Sequence, residues 1–461
     1  MRIGEFLELP KIMTFSKDEE ITNEVLSDFI KQHQTELPRY KKLNDTYINN
    51  ADIFSLTNKD EYKPDIRLSV ANAWYMINTF TGYFNGIPVK KVHPDEEVAS
   101  SIELFESSND VEDKEHELAK LACVYGRAYE GLYQNEDAET KTFYESPENM
   151  FIVYDDTVEQ KRLFAVRYSI DKDDKIKGTI YKIDETIEFK SSNKENEFIY
   201  EEPIANPFNE LPIHEFYLNE ERIGLFEPGK TLIDNFNKAL SEKANDVDYF
   251  SDSYMKLFGF DLDEDGVKQI RDNRIINASG ENSEKAVAEF MDKPDSDQAT
   301  ENLLDRLEDL IFKTCMVADI SDENFGQSSG TALAYKLQGM SNLALSFQRK
   351  FESSLRERYK LFFSIETNFP VGQSDGWKEM EFIFNRNEPK NIKEEAETAS
   401  LLMGVTSQET ALSVLSKVPD VRAEIKRMNE EMKDRLDKEE FDLSGNKVKE
   451  VEEVEEDVQE V

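Results

Sequence analysis

Residues 325–340, FGQSSGTALAYKLQGM, gather glycines, a Ser-Ser pair, a threonine and a lysine. A phosphate cradle uses such residues: glycine-freed backbone N–H groups, a lysine for charge and a hydroxyl for a bound cation. The spacing does not fit. The cradle needs lysine directly after its second glycine. Here Gly330 is followed by Thr331 and Ala332, and Lys336 falls well inside a helical pattern with no strand leading in. A Gly/Ser junction between two helices is the better reading. The run EPGKT at 227–231 looks like the end of such a cradle, and Gly224 stands at the matching distance upstream, but the IGLF stretch leading into it is apolar where a phosphate loop is polar and glycine-rich. GRAYEG at 126–131 is a further glycine-bearing stretch without the required context.

Other chemistry is equally unsupported. His33, His93, His116 and His214 are scattered, with no i,i+4 pair to grip a metal, and read as ordinary core or surface residues. DLDEDG at 261–266 starts like a calcium loop with glycine at position six. Position twelve, however, is Asp272 rather than glutamate, so a charged turn is favoured over a weak cation site. Among so many carboxylates no acid/base pair stands out, and no Ser or Cys nucleophile motif occurs. Neither an active site, a cofactor nor a metal is expected.

The 461 residues are enough for two to four domains. Apolar residues make up 38%, enough for real cores. Lys+Arg number 56 and Asp+Glu 97, a net charge of −41. Charge of that sign favours solubility and disfavours tight binding of nucleic acid, which relies on Lys and Arg displacing counterions. Cys123 and Cys315 sit far apart in helical patterns and read as buried free thiols. The N-terminus MRIGEFLELPKIMTF lacks a leader's apolar core, and no run reaches the roughly 18–20 apolar residues of a membrane span. A soluble protein of a reducing compartment is expected.

The elements follow from periodicity. Residues 18–50 read as helical, with Ile21, Val25, Phe29 and Ile30 on one stripe and a break and restart at Pro38. Helices are predicted over 66–85 and 111–134, with NGIPVK a turn into a short strand. From 142 to 217, short aromatic and β-branched runs punctuated by Asp, Asn, Lys and Gly predict hairpin-linked antiparallel strands. A long amphipathic helix follows Pro228, with Leu232, Phe236, Leu240, Val247, Phe250 and Tyr254 recurring. A small α/β excursion at 259–297 has strands near RIINAS and AVAEFM, and a second long helix runs over 298–318. The excursion therefore sits at the tip of a helical hairpin. A third long helix is predicted over 330–363, capped by Ser328 or Ser329. A strand within WKEMEFIFNRNEPK, helices over 391–438 with a start at Ser407, and an acidic mobile tail complete the chain.

This order of parts resembles the portal proteins of long-tailed double-stranded DNA bacteriophages, the group typical of phages of Gram-positive hosts. The stretches that carry it are NAWYMINTFTGYFNGIPV (72–89), CVYGRAYEGLY (123–133), ENMFIVYDD (148–156), LIDNFNKALSEKANDVDYFSDSYMKL (232–257), SSGTALAYKLQGM (328–340) and FIFNRNEPKN (382–391). They span nearly the whole chain, and none is a catalytic signature.

The resemblance implies an α+β, mostly helical portal fold. Residues 1–226 would form the wing, 227–258 and 298–318 the two stem helices, and 259–297 a small α/β clip. Residues 319–330 would form a tunnel loop, 331–389 the return to the wing, 390–440 a helical crown and 441–461 the acidic tail. It implies a homododecameric ring at one capsid vertex of the virion, assembled in the host cytoplasm. Its partners would be the terminase large subunit, the major capsid and scaffolding proteins, head-completion and tail adaptor proteins, and double-stranded DNA passing without sequence specificity. No membrane is involved and no enzymatic step is expected. Asn324, Gln327, Ser328 and Ser329 would brush DNA at the loop tip, while Lys268, Arg271 and Arg274 would be clip contacts, against the plainer reading of solvated charges. An acidic crown and tunnel would repel phosphate and let DNA slide. The alternatives are an acidic coiled-coil scaffold or adaptor, and a nucleotide-dependent nucleic-acid enzyme.

Overall fold

The computed structural model describes residues 10, 12–59, 64–192, 197–251, 255–258, 287–290, 297–320, 330–388, 392–415, 417–418 and 420–445. About half the chain is helical, with several sheets, an α+β fold. It divides into one unit over Met1–Asn387 and a second over Glu388–Val461.

Strand β1 (Met13–Phe15) leads into helix α1 (Asn23–Tyr47), which Thr22 caps by accepting from the Val25 N–H at 3.3 Å. The expected break at Pro38 does not occur, and the helix runs straight through. An interior proline costs about 3 kcal/mol. Burial of Leu26 and Ile30 before it, and of Tyr40 and Leu43 after it, offsets that cost. Residues 66–70, expected to open the next helix, are extended, and the chain turns at Ala71 into α2, which covers Asn72–Asn85. Then come β2 (Lys90–Val92), α3 (Glu96–Ser108) and α4 (Val111–Tyr125). The helix predicted over 111–134 stops at Gly126, whose φ of +87° turns the chain left-handed, and β3 (Arg127–Gln134) follows.

The predicted β region then unfolds as two sheets. Its strands are β4 (Thr140–Glu145), β5 (Met150–Asp155), β6 (Arg162–Ile170), β7 (Ile176–Lys182), β8 (Glu185–Ser191), β9 (Phe198–Tyr200), β10 (Ile204–Ala205) and β11 (Ile213–Tyr217). The larger sheet has the order β1-β5-β6-β7-β8-β10 with β9 also on β8, antiparallel except for β1, which runs parallel to β5. The smaller sheet is β11-β3-β4. Leu26, Ile30, Phe151, Val153 and Phe164 fuse α1 to the larger sheet.

The main core is helical. Helix α5 (Lys230–Ser251) and helix α6 (Asp297–Cys315) form a hairpin, and α7 (Gly330–Phe363) covers the predicted span at about 51 Å. Phe80 and Phe84 of α2 pack on Phe347 and Phe351 of α7, with the Phe84 and Phe347 centroids 4.4 Å apart. The pair β14 (Glu381–Ile383) and β2 closes this unit. Cys123 and Cys315 are free and buried, as expected. The second unit contains α8 (Ile392–Leu402), α9 (Gln408–Leu412) and α10 (Val421–Gly445), and Ser407 caps α9 as predicted, accepting from the Thr410 N–H at 3.2 Å.

His33 gives this fold a pH dependence. It lies buried between α1 and the larger sheet, each ring nitrogen 2.7 Å from its partner, the Tyr168 hydroxyl and the Pro147 carbonyl. The carbonyl requires a donor, so Nε2 carries the proton and Nδ1 accepts from Tyr168. Burial drives the imidazole down to about 4, against the pull of the Pro147 bond and with help from Arg127. A depressed histidine contributes stability that is full above its ordinary 6.5 and is lost as pH falls toward 4. Unfolding free energy should therefore drop by about 3 kcal/mol across that window. In His33→Gln this segment of the stability profile should flatten. A wild-type profile flat from pH 6.5 to 4 would refute the assignment.

Candidate functional site

The hairpin and the segments at its two ends are where the fold exposes unusual chemistry. Ile233, Phe236 and Leu240 of α5 and Leu304, Leu307 and Ile311 of α6 line the apolar faces, and Lys243 pairs with Glu301 across them. At the root, a Cβ on Gly229 would lie 2.6 Å from the Cys315 sulfur, so only glycine lets the helices converge. Helix α5 ends at Ser251, short of the predicted 258. At the far end β12 (Met255–Phe258) pairs antiparallel with β13 (Val287–Phe290), with Met255 opposite Phe290 and Phe258 opposite Val287. Of the two strands predicted in the excursion, the AVAEFM strand is present as β13, and RIINAS lies outside the described residues. Lys268, Arg271, Arg274 and the DLDEDG turn also lie outside them.

The chain leaves α6 through Met316, at φ +56°. Tyr75 of α2 fixes the exit. Its ring stacks edge-on against Phe312 at 5.8 Å, and its hydroxyl accepts from the Ile320 N–H at 3.1 Å and lies 3.4 Å from Asp319 Oδ1. Asn324, Gln327, Ser328 and Ser329 also fall outside the described residues. Sequence reasoning missed Tyr75, Phe312 and Asp319, although Tyr75 belongs to the NAWYMINTF stretch that carries the resemblance.

Beside this exit lies an open cleft of about 560 Å³ between α6 and α7, lined by Asp305, Glu308, Asp309, Phe312, Met316 and Gly339 among others. Burial, then Asp319 and Asp305, push the Glu308 carboxyl above its ordinary range. Lys336 lines the same cleft from two turns inside α7.

Helix α7 is locked to the smaller sheet by buried charges. Arg358, fully buried, donates from Nε to Glu130 at 2.8 Å and from Nη1 to Glu115. Glu130 also faces His214 Nε2 at 2.8 Å. Lys91 reaches Glu115 and Glu106, each at 3.0 Å, and the Tyr359 hydroxyl donates to Glu106. Burial would raise the Glu130 carboxyl, but Arg358 and His214 outweigh it and hold it at about 2. Burial pushes His214 down, with Glu130 opposing. Every carboxylate here has a cationic neighbour, the arrangement of a structural clamp.

The glycine stretches resolve into packing. The Gly224 N–H donates to Glu227 at 2.8 Å, and Glu227 is gripped bidentately by Arg39 at 2.6 and 2.7 Å. Lys230 is held by Asp234 at 2.9 Å and by Asp52 at 3.4 Å. The groups an anion would need in EPGKT are thus committed to carboxylates of the chain itself. Among the described residues no group of three or more His, Cys, Asp or Glu is arranged to hold a metal. No helix among them is long and apolar enough to cross a membrane.

Most of the chain is similar to known proteins. The family model described as "Phage portal protein, SPP1 Gp6-like" matches residues 26–438. The portal protein of Bacillus phage SPP1 is 25% identical over 398 residues, covering 81% of this chain and 77% of that protein. The portal protein of Clostridium phage phiCD119 is 23% identical over 321 residues, covering 65% and 69%. With nearly its whole length matched from α1 through α10, the chain belongs to the phage portal protein family.

Proposed function

We propose that the chain is one subunit of a ring at a single capsid vertex, through which double-stranded DNA enters and leaves the head. The observation that carries this is the α5–α6 hairpin, which bears a strand pair at its tip and a tethered loop exit at its root. In a ring the hairpins would stand side by side as the stem, with 259–297 as the clip, 319–330 as the tunnel loop and 390–440 as the crown. Residues 1–226, with the return of 331–389, would form the surrounding wing, braced by the Arg358 clamp. The ring would dock the terminase large subunit during packaging. Afterwards it would seat head-completion and tail adaptor proteins, with capsid and scaffolding proteins around it. Energy would come from the motor, and this chain would supply geometry and an acidic surface over which phosphates slide.

Negative-stain microscopy with native mass spectrometry of the purified chain tests this. Rings with an axial hole, of a defined subunit number, are expected. Monomers or small coiled-coil oligomers at high concentration would overturn the reading. ATP with magnesium should give a flat calorimetric trace, and a binding isotherm would revive the nucleotide-dependent alternative.

A further inference from the structure

The two flanks of the α5–α6 hairpin are unlike and complementary. On the α5 flank, residues 66–70 run extended along the helix. Asn245, Ser241 and Asn237, one helical turn apart, accept from the backbone N–H groups of Ile66, Leu68 and Val70 at 2.6, 2.9 and 2.9 Å. Asn245 and Ser241 donate back to the carbonyls of Ile66 and Leu68. Three polar side chains at i, i+4 and i+8 thus hold a strand-like strap in fixed register. The cost is exposure, because Ile66, Leu68 and Val70 are 36–39% open to solvent in a row. Arg67 stiffens the strap by donating to the carbonyls of Phe54, Leu56 and Thr57 while pairing with Asp65. Lys238, next to Asn237, is exposed and makes no ion pair among the described residues.

On the other flank lies the α6–α7 cleft. Gly339 sits within α7 and lines this cleft, and a Cβ there would meet nothing within 4 Å. Mid-helix glycine costs about 1 kcal/mol relative to alanine. Among the described residues nothing packs close enough to require it. Tyr335, one turn earlier on the same face, is 75% exposed. The cleft follows α6 from Asp305 to Met316, about 16 Å at helical rise. The side chains of Ile66, Leu68 and Val70 span about 13 Å at strand rise.

We infer that the strap of one subunit seats in the α6–α7 cleft of the next, Leu68 opposite Gly339, with Lys238 against the carboxylates of Asp305 and Glu308. Two different surfaces of one chain that meet across subunits make a head-to-tail contact, the kind that closes into a ring where the rotation between subunits allows it. The empty space over Gly339 and the exposed row on the strap then have one explanation. The pairing rests on the ring reading above and adds to it which surfaces meet.

Two variants break the contact from opposite sides. Gly339→Leu fills the cleft at a position where the chain itself has room, and Leu68→Asp charges the strap without touching its backbone bonds. Each alone should weaken assembly at least tenfold in sedimentation velocity, with a melting temperature for the unassembled chain that does not fall. Mixed one to one, the variants should give dimers that grow no further, because one intact strap and one intact cleft remain. Wild-type rings together with rings of either variant, or a mixture that stays monomeric, would overturn the pairing alone. A wild type that never assembles would overturn the ring reading and the pairing with it.

Discussion

Replacing Arg358 with leucine should cost about 3–5 kcal/mol of unfolding free energy, because it leaves Glu130 and Glu115 buried without their main counter-charge. The guanidinium sits between helix α4, which carries Glu115, and strand β3, which carries Glu130, so its loss also unpins α7 from both. Urea denaturation followed by circular dichroism measures the effect, and a loss below about 1 kcal/mol would show that the clamp is not structural. The partners should matter as much as the arginine. Combining Arg358→Met with Glu115→Gln and Glu130→Gln removes both charge signs and should recover much of the deficit, since buried ion pairs often break even against neutral replacements. The acid limb gives an independent readout. The Glu130 carboxyl is held at about 2 against an ordinary 4.5, so its contribution is full above 4.5 and fades as pH falls toward 2. In the triple variant that limb should be missing.

Much of this architecture is legible in the sequence where apolar periodicity is long and uninterrupted. Helix α7 begins and ends at the predicted residues because thirty-four residues of helical pattern leave no competing choice. The strap at 66–70 reads as helix, because RLSVA contains neither glycine nor proline to stop one. What holds it extended is a ladder from Asn237, Ser241 and Asn245, some 170 residues later in sequence. The end of α4 is similar. Apolar pattern continues across Gly126 into β3, and the switch depends on a left-handed turn packed against residues 222–223. The Arg358 clamp is invisible for another reason. Nothing distinguishes Glu115 and Glu130 among 97 acidic residues until the fold buries them. At the site, the two hairpin helices and the AVAEFM strand were readable in the sequence, whereas Tyr75 acts through contacts with Phe312 and Ile320 that sequence spacing does not encode.

Alanine at Gly126 should be among the most damaging small substitutions in the chain, and alanine at Gly339 should do the opposite. At Gly126 the backbone has φ +87°, which any side chain resists. A Cβ would also stand 2.0 Å from the Arg222 carbonyl oxygen and 2.3 Å from its carbon, backbone atoms that cannot swing aside. Those atoms belong to the loop that Gly224 and Leu225 tie to the end of α4, the Leu225 N–H donating to the Cys123 carbonyl at 2.7 Å. Left-handed strain and overpacking each run to about 1–3 kcal/mol. Gly126→Ala should therefore lose about 3–5 kcal/mol and lower the soluble yield sharply. Gly339→Ala meets no atom and gains helix propensity, so the unassembled chain should become about 1 kcal/mol more stable. Equilibrium denaturation of the two variants side by side checks both signs. Equal losses at the two positions would mean that glycine is needed at 339 by the isolated chain, which would remove the reason for assigning that space to a neighbouring subunit.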